Sequence, residues 1–179
     1  MRYLPCMLLI VLFLNQCRNK EKYYTLPFPG KPEVPSSIKK EHTYLLDRLH
    51  KLTSLQDSTG SAAIKLNDLM EHHFQEEEDY VLAPLGVLPL LASGKIPEES
   101  KKIILLTEKF KSNSAQMIAE HQLIKVYLDE LMLAARKENH PEISGFEQEL
   151  HKHAAIEEEV LFPAAILIGL YLKQNSPAD

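Results

Sequence analysis

Cysteine is nearly missing from this chain. Of 179 residues only Cys6 and Cys17 are cysteines, and both fall within residues 1–17. Beyond them the chain can hold no disulfide, no thiolate zinc site and no cysteine-ligated iron–sulfur cluster. Glycine is scarce, at 6 residues, and long stretches lack both glycine and proline. Without those breakers the chain leans towards helix. Positive charge is not in excess: the net charge is -5, which points to no nucleic-acid surface and no nucleic-acid partner. No apolar run reaches the ~20 residues of a comfortable membrane span.

The longest apolar run, Met7 to Leu14, follows the basic Arg2 and has the length of a signal-peptide core. It ends in Leu14-Asn15-Gln16-Cys17, which resembles a bacterial lipoprotein cleavage box, with Gln16 where a small residue is usual. Residues 1–17 are therefore expected to be a leader and Cys17 the lipidation site. The protein is expected to be exported, on the periplasmic or cell-surface side, and to touch the membrane only through that N-terminal anchor. Residues 18–35 hold Pro27, Pro29, Pro32 and Pro35, which predicts an extended tether. The tail, 174–179, is polar.

Residues 36–173 are long enough for one domain with its own core. Ser36 or Ser37 offers a helix N-cap. Four stretches then place apolar residues at the three-and-four spacing of one helix face. The first carries Ile38, His42, Leu45 and Leu49, and is broken at Asp57-Ser58-Thr59-Gly60-Ser61. The second carries Leu66, Met70, His73, Glu77 and Tyr80, and stops before Pro84. The third carries Phe110, Met117, His121, Ile124 and Leu128, and the fourth Leu150, His153, Glu157, Leu161 and Ala164. The pattern predicts an all-α, up-down four-helix bundle with a longer link between the second and third helices.

Each stripe contains a histidine, and two add a glutamate four residues on. A lone histidine on an apolar face is most often a core residue with one hydrogen bond. Two inward carboxylates are different, because a buried carboxylate is costly unless paired or bound to metal. No lysine or arginine shares their stripes, so imidazoles and a cation are the available partners. The spacing of His73 to Glu77 and of His153 to Glu157 lets each pair close on one ion. The two halves repeat: Glu41-His42 precedes the first pair and Glu120-His121 the second, at intervals matching to within one residue. His72 and His151 fall on wet faces, His50 borders the core near Leu46, and His140 precedes Pro141 in a turn. The acidic runs 76–79 and 157–159 read as solvated, apart from the one inward member of each.

These motifs resemble the hemerythrin-like, or HHE cation-binding, family of di-iron four-helix bundles. The most specific stretch is His153 to Ala165, followed by Gly169 and Tyr171-Leu172-Lys173; His73 to Gly86 is also similar. The resemblance implies a hemerythrin-like bundle with His42, His73, Glu77, His121, His153 and Glu157 as iron ligands, both glutamates bridging. The oxygen carriers of that family have a further histidine where this chain has Lys125. With two six-coordinate ions and an oxo or hydroxo bridge, about ten of roughly twelve positions are filled, which leaves about two open. Mixed imidazole and carboxylate donors favour iron over manganese or zinc.

Three functions fit such a centre. The first is a module that binds or senses a small ligand, dioxygen or nitric oxide above all. The second is a redox enzyme acting on peroxide or nitric oxide, or repairing iron clusters. The third is an iron-holding protein. No protein partner can be named from the residues.

Overall fold

The computed structural model describes residues 31–176. The leader, Cys17, the first part of the tether and residues 177–179 lie outside the described residues. Among the described residues every regular element is helical. No helix there is long and apolar enough to cross a membrane.

Helix α1 spans Ser36–His50 and α2 spans Ser58–Glu76, which continues through a π turn at Glu77–Val81. A 3-10 turn, Ala83–Val87, and a short helix α3, Leu88–Ala92, fill the expected long link. Helix α4 runs 39 residues, Ser100–Glu138, and ends on Asn139 in the left-handed conformation. After a 3-10 turn at Pro141–Ile143, α5 spans Phe146–Ile156. A second π turn, Glu157–Leu161, joins it to α6, Phe162–Asn175.

Four local expectations change. The N-cap of α1 is Pro35, with no side-chain cap, and Ser36 is already helical. The stretch 57–61 does not separate helices but opens α2: Asp57 is its N-cap and accepts from the Gly60 N–H at 3.0 Å. Glu138, at the far end of α4, accepts from the N–H groups of Ser58 at 3.1 Å and Thr59 at 2.8 Å. A carboxylate there meets the unpaired donors and positive dipole end of α2. His140 is not a free surface residue; its Nε2 is 2.8 Å from Asp57 and its Nδ1 2.8 Å from Glu142. The end of the tether is packed rather than extended into solvent. Val34 is buried, and Gly86 lies so close to the carbonyls of Lys31 and Glu33 that any side chain there would collide with them.

The apolar core forms two clusters. One gathers Ile38, Tyr80, Phe110, Met117 and Phe162, and the other Leu45, Leu66, Met70, Leu128 and Phe146. α1 passes from the first cluster to the second and α2 returns. α4 again runs from first to second, and the α5–α6 rod runs back. Between the clusters each rod contributes polar residues, and these are buried: His42, His73, Glu77, His121, His153 and Glu157. Pairing on either side is tight, and α6 approaches α4 so closely that a Cβ on Gly169 would meet Thr107 at 2.0 Å.

Candidate metal centre

The polar layer exists because the stripe of each rod is interrupted at the same height. Both glutamates sit at the start of a π turn: the Leu82 N–H donates to the Glu77 carbonyl at 2.8 Å, and the Phe162 N–H donates to that of Glu157. Such a turn inserts one residue into the helical register and commonly marks a functional position. Here it also corrects the fourth stripe. Leu161 and Ala164 were expected to face inward; they are half-buried against the first cluster, while Phe162 and Ala165 are the fully buried residues. The shift brings the Phe162 ring parallel to the His121 imidazole, with centroids 5.6 Å apart.

The two carboxylates divide their oxygens. His42 Nε2 is 3.6 Å from Glu77 Oε2 and 3.5 Å from Glu157 Oε1, and His153 Nε2 is 3.2 Å from the same Glu157 oxygen. On the other side His73 Nε2 is 3.3 Å and His121 Nε2 3.8 Å from Glu77 Oε1, with His121 also 3.5 Å from Glu157 Oε2. Two groups result, His42–Glu77–His153–Glu157 and His73–Glu77–His121–Glu157, and each could hold a metal ion. Each glutamate belongs to both groups.

None of these inner distances satisfies the atoms. Both oxygens of Glu77 and of Glu157, and the Nε2 atoms of His42, His73 and His153, are buried without a hydrogen-bond partner. Buried polar atoms are almost always paired in native proteins, so a converging set of orphans asks for a cation. Imidazole nitrogen and carboxylate oxygen together suit iron, zinc, manganese or similar ions. The donor set fits.

Three of the four outward ring nitrogens are hydrogen-bonded to carboxylates, and the fourth has one nearby. Nδ1 of His42 is 3.0 Å from Glu78, that of His73 2.8 Å from Glu120, and that of His121 2.7 Å from Glu158. His153 Nδ1 is 3.6 Å from Glu41. Carboxylates behind metal-ligating histidines fix the tautomer and make the inner nitrogen more basic. The acidic runs were expected to be solvent-facing apart from Glu77 and Glu157; Glu78 and Glu158 are instead outer partners, as are Glu41 and Glu120. The signal for them was the repeat itself, since a glutamate adjoins four of the six inward residues.

Proton affinity follows the same contacts. Burial lowers the His121 pKa, but the Glu157, Glu77 and Glu158 carboxylates outweigh it and raise it to about 10. His42 and His73 are likewise raised, burial being overcome by Glu157 and Glu77 respectively. Burial pushes Glu157 up, yet His121, His153 and His42 hold it well below the ordinary carboxylate value. Without metal, His42, His73 and His121 therefore hold a proton more firmly than a free imidazole does.

Of the other histidines, His50, His72 and His151 are exposed and take no part in either group. Asp57, Glu138 and His140 also lie close together, half-buried, but their atoms already cap α2 and pair with each other.

Among the described residues, then, an all-helical frame surrounds a buried cluster of imidazoles and shared carboxylates that could hold metal cations. The sequence profile of the hemerythrin HHE cation binding domain matches residues 34–165, and the chain belongs to that family. No curated protein and no solved structure matches the chain.

Proposed function

We propose that the helical rods form an up-down four-helix bundle holding a pair of iron ions with an oxo or hydroxo bridge, and that the pair binds or senses a small diatomic ligand, dioxygen or nitric oxide. The alternating order in which the rods traverse the two core clusters supports the bundle. The observation that carries the metal reading is the division of four orphaned carboxylate oxygens, one from each glutamate to each donor group. His42 and His153 would hold one ion, His73 and His121 the other, and Glu77 and Glu157 would bridge them. Iron so held supplies open positions for a small ligand and can exchange electrons.

The chain's own residues do the rest. Glu78, Glu120 and Glu158 keep the imidazoles of His42, His73 and His121 aimed inward, and the two apolar clusters exclude water from above and below the layer. Lys125, at the position where the carriers have another histidine, leaves the ligand set at six residues. The test is to load the full chain with ferrous iron under anaerobic conditions and measure iron per chain. Visible spectra are then taken with and without dioxygen or nitric oxide. A stoichiometry near a pair and a new absorption band on ligand addition are expected; an unchanged spectrum with full iron would remove the ligand-binding reading. Export and anchoring through Cys17 belong to the same proposal, supported by the apolar run Met7 to Leu14, and incorporation of labelled fatty acid at Cys17 tests them.

A further inference from the structure

The two halves of the chain repeat, but their surroundings do not. Facing the groove between α1 and α2, a depression of about 350 Å³ is lined by His42, Leu46, Glu71, Phe74 and Glu78. The equivalent position between α4 and α5 is a cavity of about 230 Å³, lined by the repeat's counterparts His121, Lys125, His151, Ala154 and Glu158. The smaller of the two goes deeper. It also reaches His73, His153 and Glu157, whereas the first meets His42 alone among the six inward residues.

One substitution between the halves accounts for the depth. The residue after His73 is Phe74, and the residue after His153 is Ala154. Phe74 is buried and lies flat on the His42 ring, with centroids 4.0 Å apart and planes within 6°. It closes the α1–α2 side. Ala154 carries no ring, the His121 imidazole is stacked by Phe162 instead, and the α4–α5 side stays open from the exposed Lys125 to the buried imidazoles. The rims differ in charge as well. Leu46 and Glu71 on the shallow side are replaced by Lys125 and His151 on the deep side. Of the acids lining the deep cavity, Glu157 belongs to the cluster and Glu158 is engaged with His121 at 2.7 Å. Lys125 makes no ion pair among the described residues.

We infer that the α4–α5 cavity is the entry chamber for small ligands and that Lys125 at its rim selects for small anions. The inference rests on the metal reading above and adds the route and the ligand class. A free ammonium beside a narrow cleft raises the local concentration of anions and their rate of entry. A neutral diatomic gains nothing from it but needs the same opening.

The experiment uses the iron-loaded full chain, with iron content determined for every sample. Capture of azide as the anionic probe and nitric oxide as the neutral one is followed by rapid mixing and visible absorption. Ala154→Phe copies the residue that closes the other side and is expected to slow both probes by roughly tenfold or more at unchanged iron. Ala154→Leu serves where the phenyl ring prevents folding. Lys125→Leu, copying Leu46, is expected to slow azide by roughly tenfold and flatten its salt dependence, with nitric oxide unchanged. In the metal-free chain, dissolved xenon is expected to shift resonances of Ala154 and Leu150, and Ala154→Phe to abolish the shift. Fully loaded Ala154→Phe and Ala154→Leu variants with wild-type rates for both probes would overturn the entry route. Unchanged azide capture in Lys125→Leu would overturn the anion selection. A wild-type chain that takes up no iron would overturn the metal reading instead.

Discussion

Glu120 precedes His121 in the chain, yet its carboxylate lies 2.8 Å from Nδ1 of His73 on a different helix. The same residue pair thus supplies one imidazole to the inner layer and steadies another. The repeat copies this in Glu41, before His42, which faces His153 at the longer distance of 3.6 Å.

That difference ranks the outer carboxylates. Glu120→Gln and Glu158→Gln are expected to weaken metal binding by roughly 10–100-fold, the usual cost of losing a partner behind a ligand. Glu41→Gln should cost least, because its carboxylate is half exposed and distant. Competition with a chelator of known affinity measures all three. An equal loss for each would mean that the distances carry no energetic ranking.

Removing a bridge acts on both ions. Glu157→Ala is expected to lower bound metal from a pair to one ion or none, since each oxygen serves a different group. His72→Ala, on the exposed side of α2, should leave metal content unchanged. Metal analysis of purified variants decides it. Loss of metal in His72→Ala with retention in His73→Ala would reverse the face assignment.

Acid and alkali should act differently on metal-free and loaded protein. The His121 pKa is raised in the fold to about 10, so its contribution to stability is complete below the free-imidazole value of 6.5. That contribution is lost as pH rises through about 10. Glu157 is shifted the other way, so its contribution is present above the ordinary carboxylate value of 4.5 and lost as pH falls through its depressed pKa. Metal-free protein should therefore lose stability above pH 6.5, while loaded protein, whose imidazoles have exchanged protons for metal, should not. Loading should release protons. Melting curves against pH, and loading enthalpies in buffers of different ionisation heat, report the two effects.

Glu138 is a cap supplied from another helix. Its pKa is lowered to about 2 by Ser58 and Thr59, so its support for α2 is present above 4.5 and lost as pH falls through about 2. Glu138→Gln is expected to lower the melting temperature by a few degrees at neutral pH, and to bring variant and wild type together in acid. A thermal melt at each pH checks both statements.

Chelation should lower the melting temperature without unfolding the chain, because metal bound only to the folded state adds stability by mass action. The two apolar clusters remain to hold the helices. Circular dichroism of the chelated chain that lacked helical signal would show instead that folding needs the ion.

Much of the layer was visible in the residue pattern. A stripe at helical spacing places Ile38, His42, Leu45 and Leu49 on one face whatever they pack against, and the same holds for Leu66, Met70, His73 and Glu77. The inward histidines and glutamates could therefore be named from spacing, and the matching halves from the repeated Glu-His and His-x-x-x-Glu units. Spacing failed where the helix itself departs from its ordinary period. The π turn at Glu157 put Phe162 and Ala165 at the centre of the core and left Leu161 and Ala164 half-buried at its edge. Nothing in the local sequence Glu157-Glu158-Glu159-Val160-Leu161 announces the extra residue.

By itself, then, the sequence determined the helical class, the inward face of each long helix up to the π turn after Glu157, and the six residues of the polar layer, because these depend on contacts within a few residues along the chain. Only the tertiary structure decided which carboxylate stands behind which imidazole, how Glu77 and Glu157 divide their oxygens, and why the α4–α5 cavity reaches His73, His121 and His153 while the α1–α2 depression meets His42 alone. Those relations run between helices, where residues distant in the chain come within hydrogen-bond reach, and periodicity along one helix says nothing about its neighbour's register.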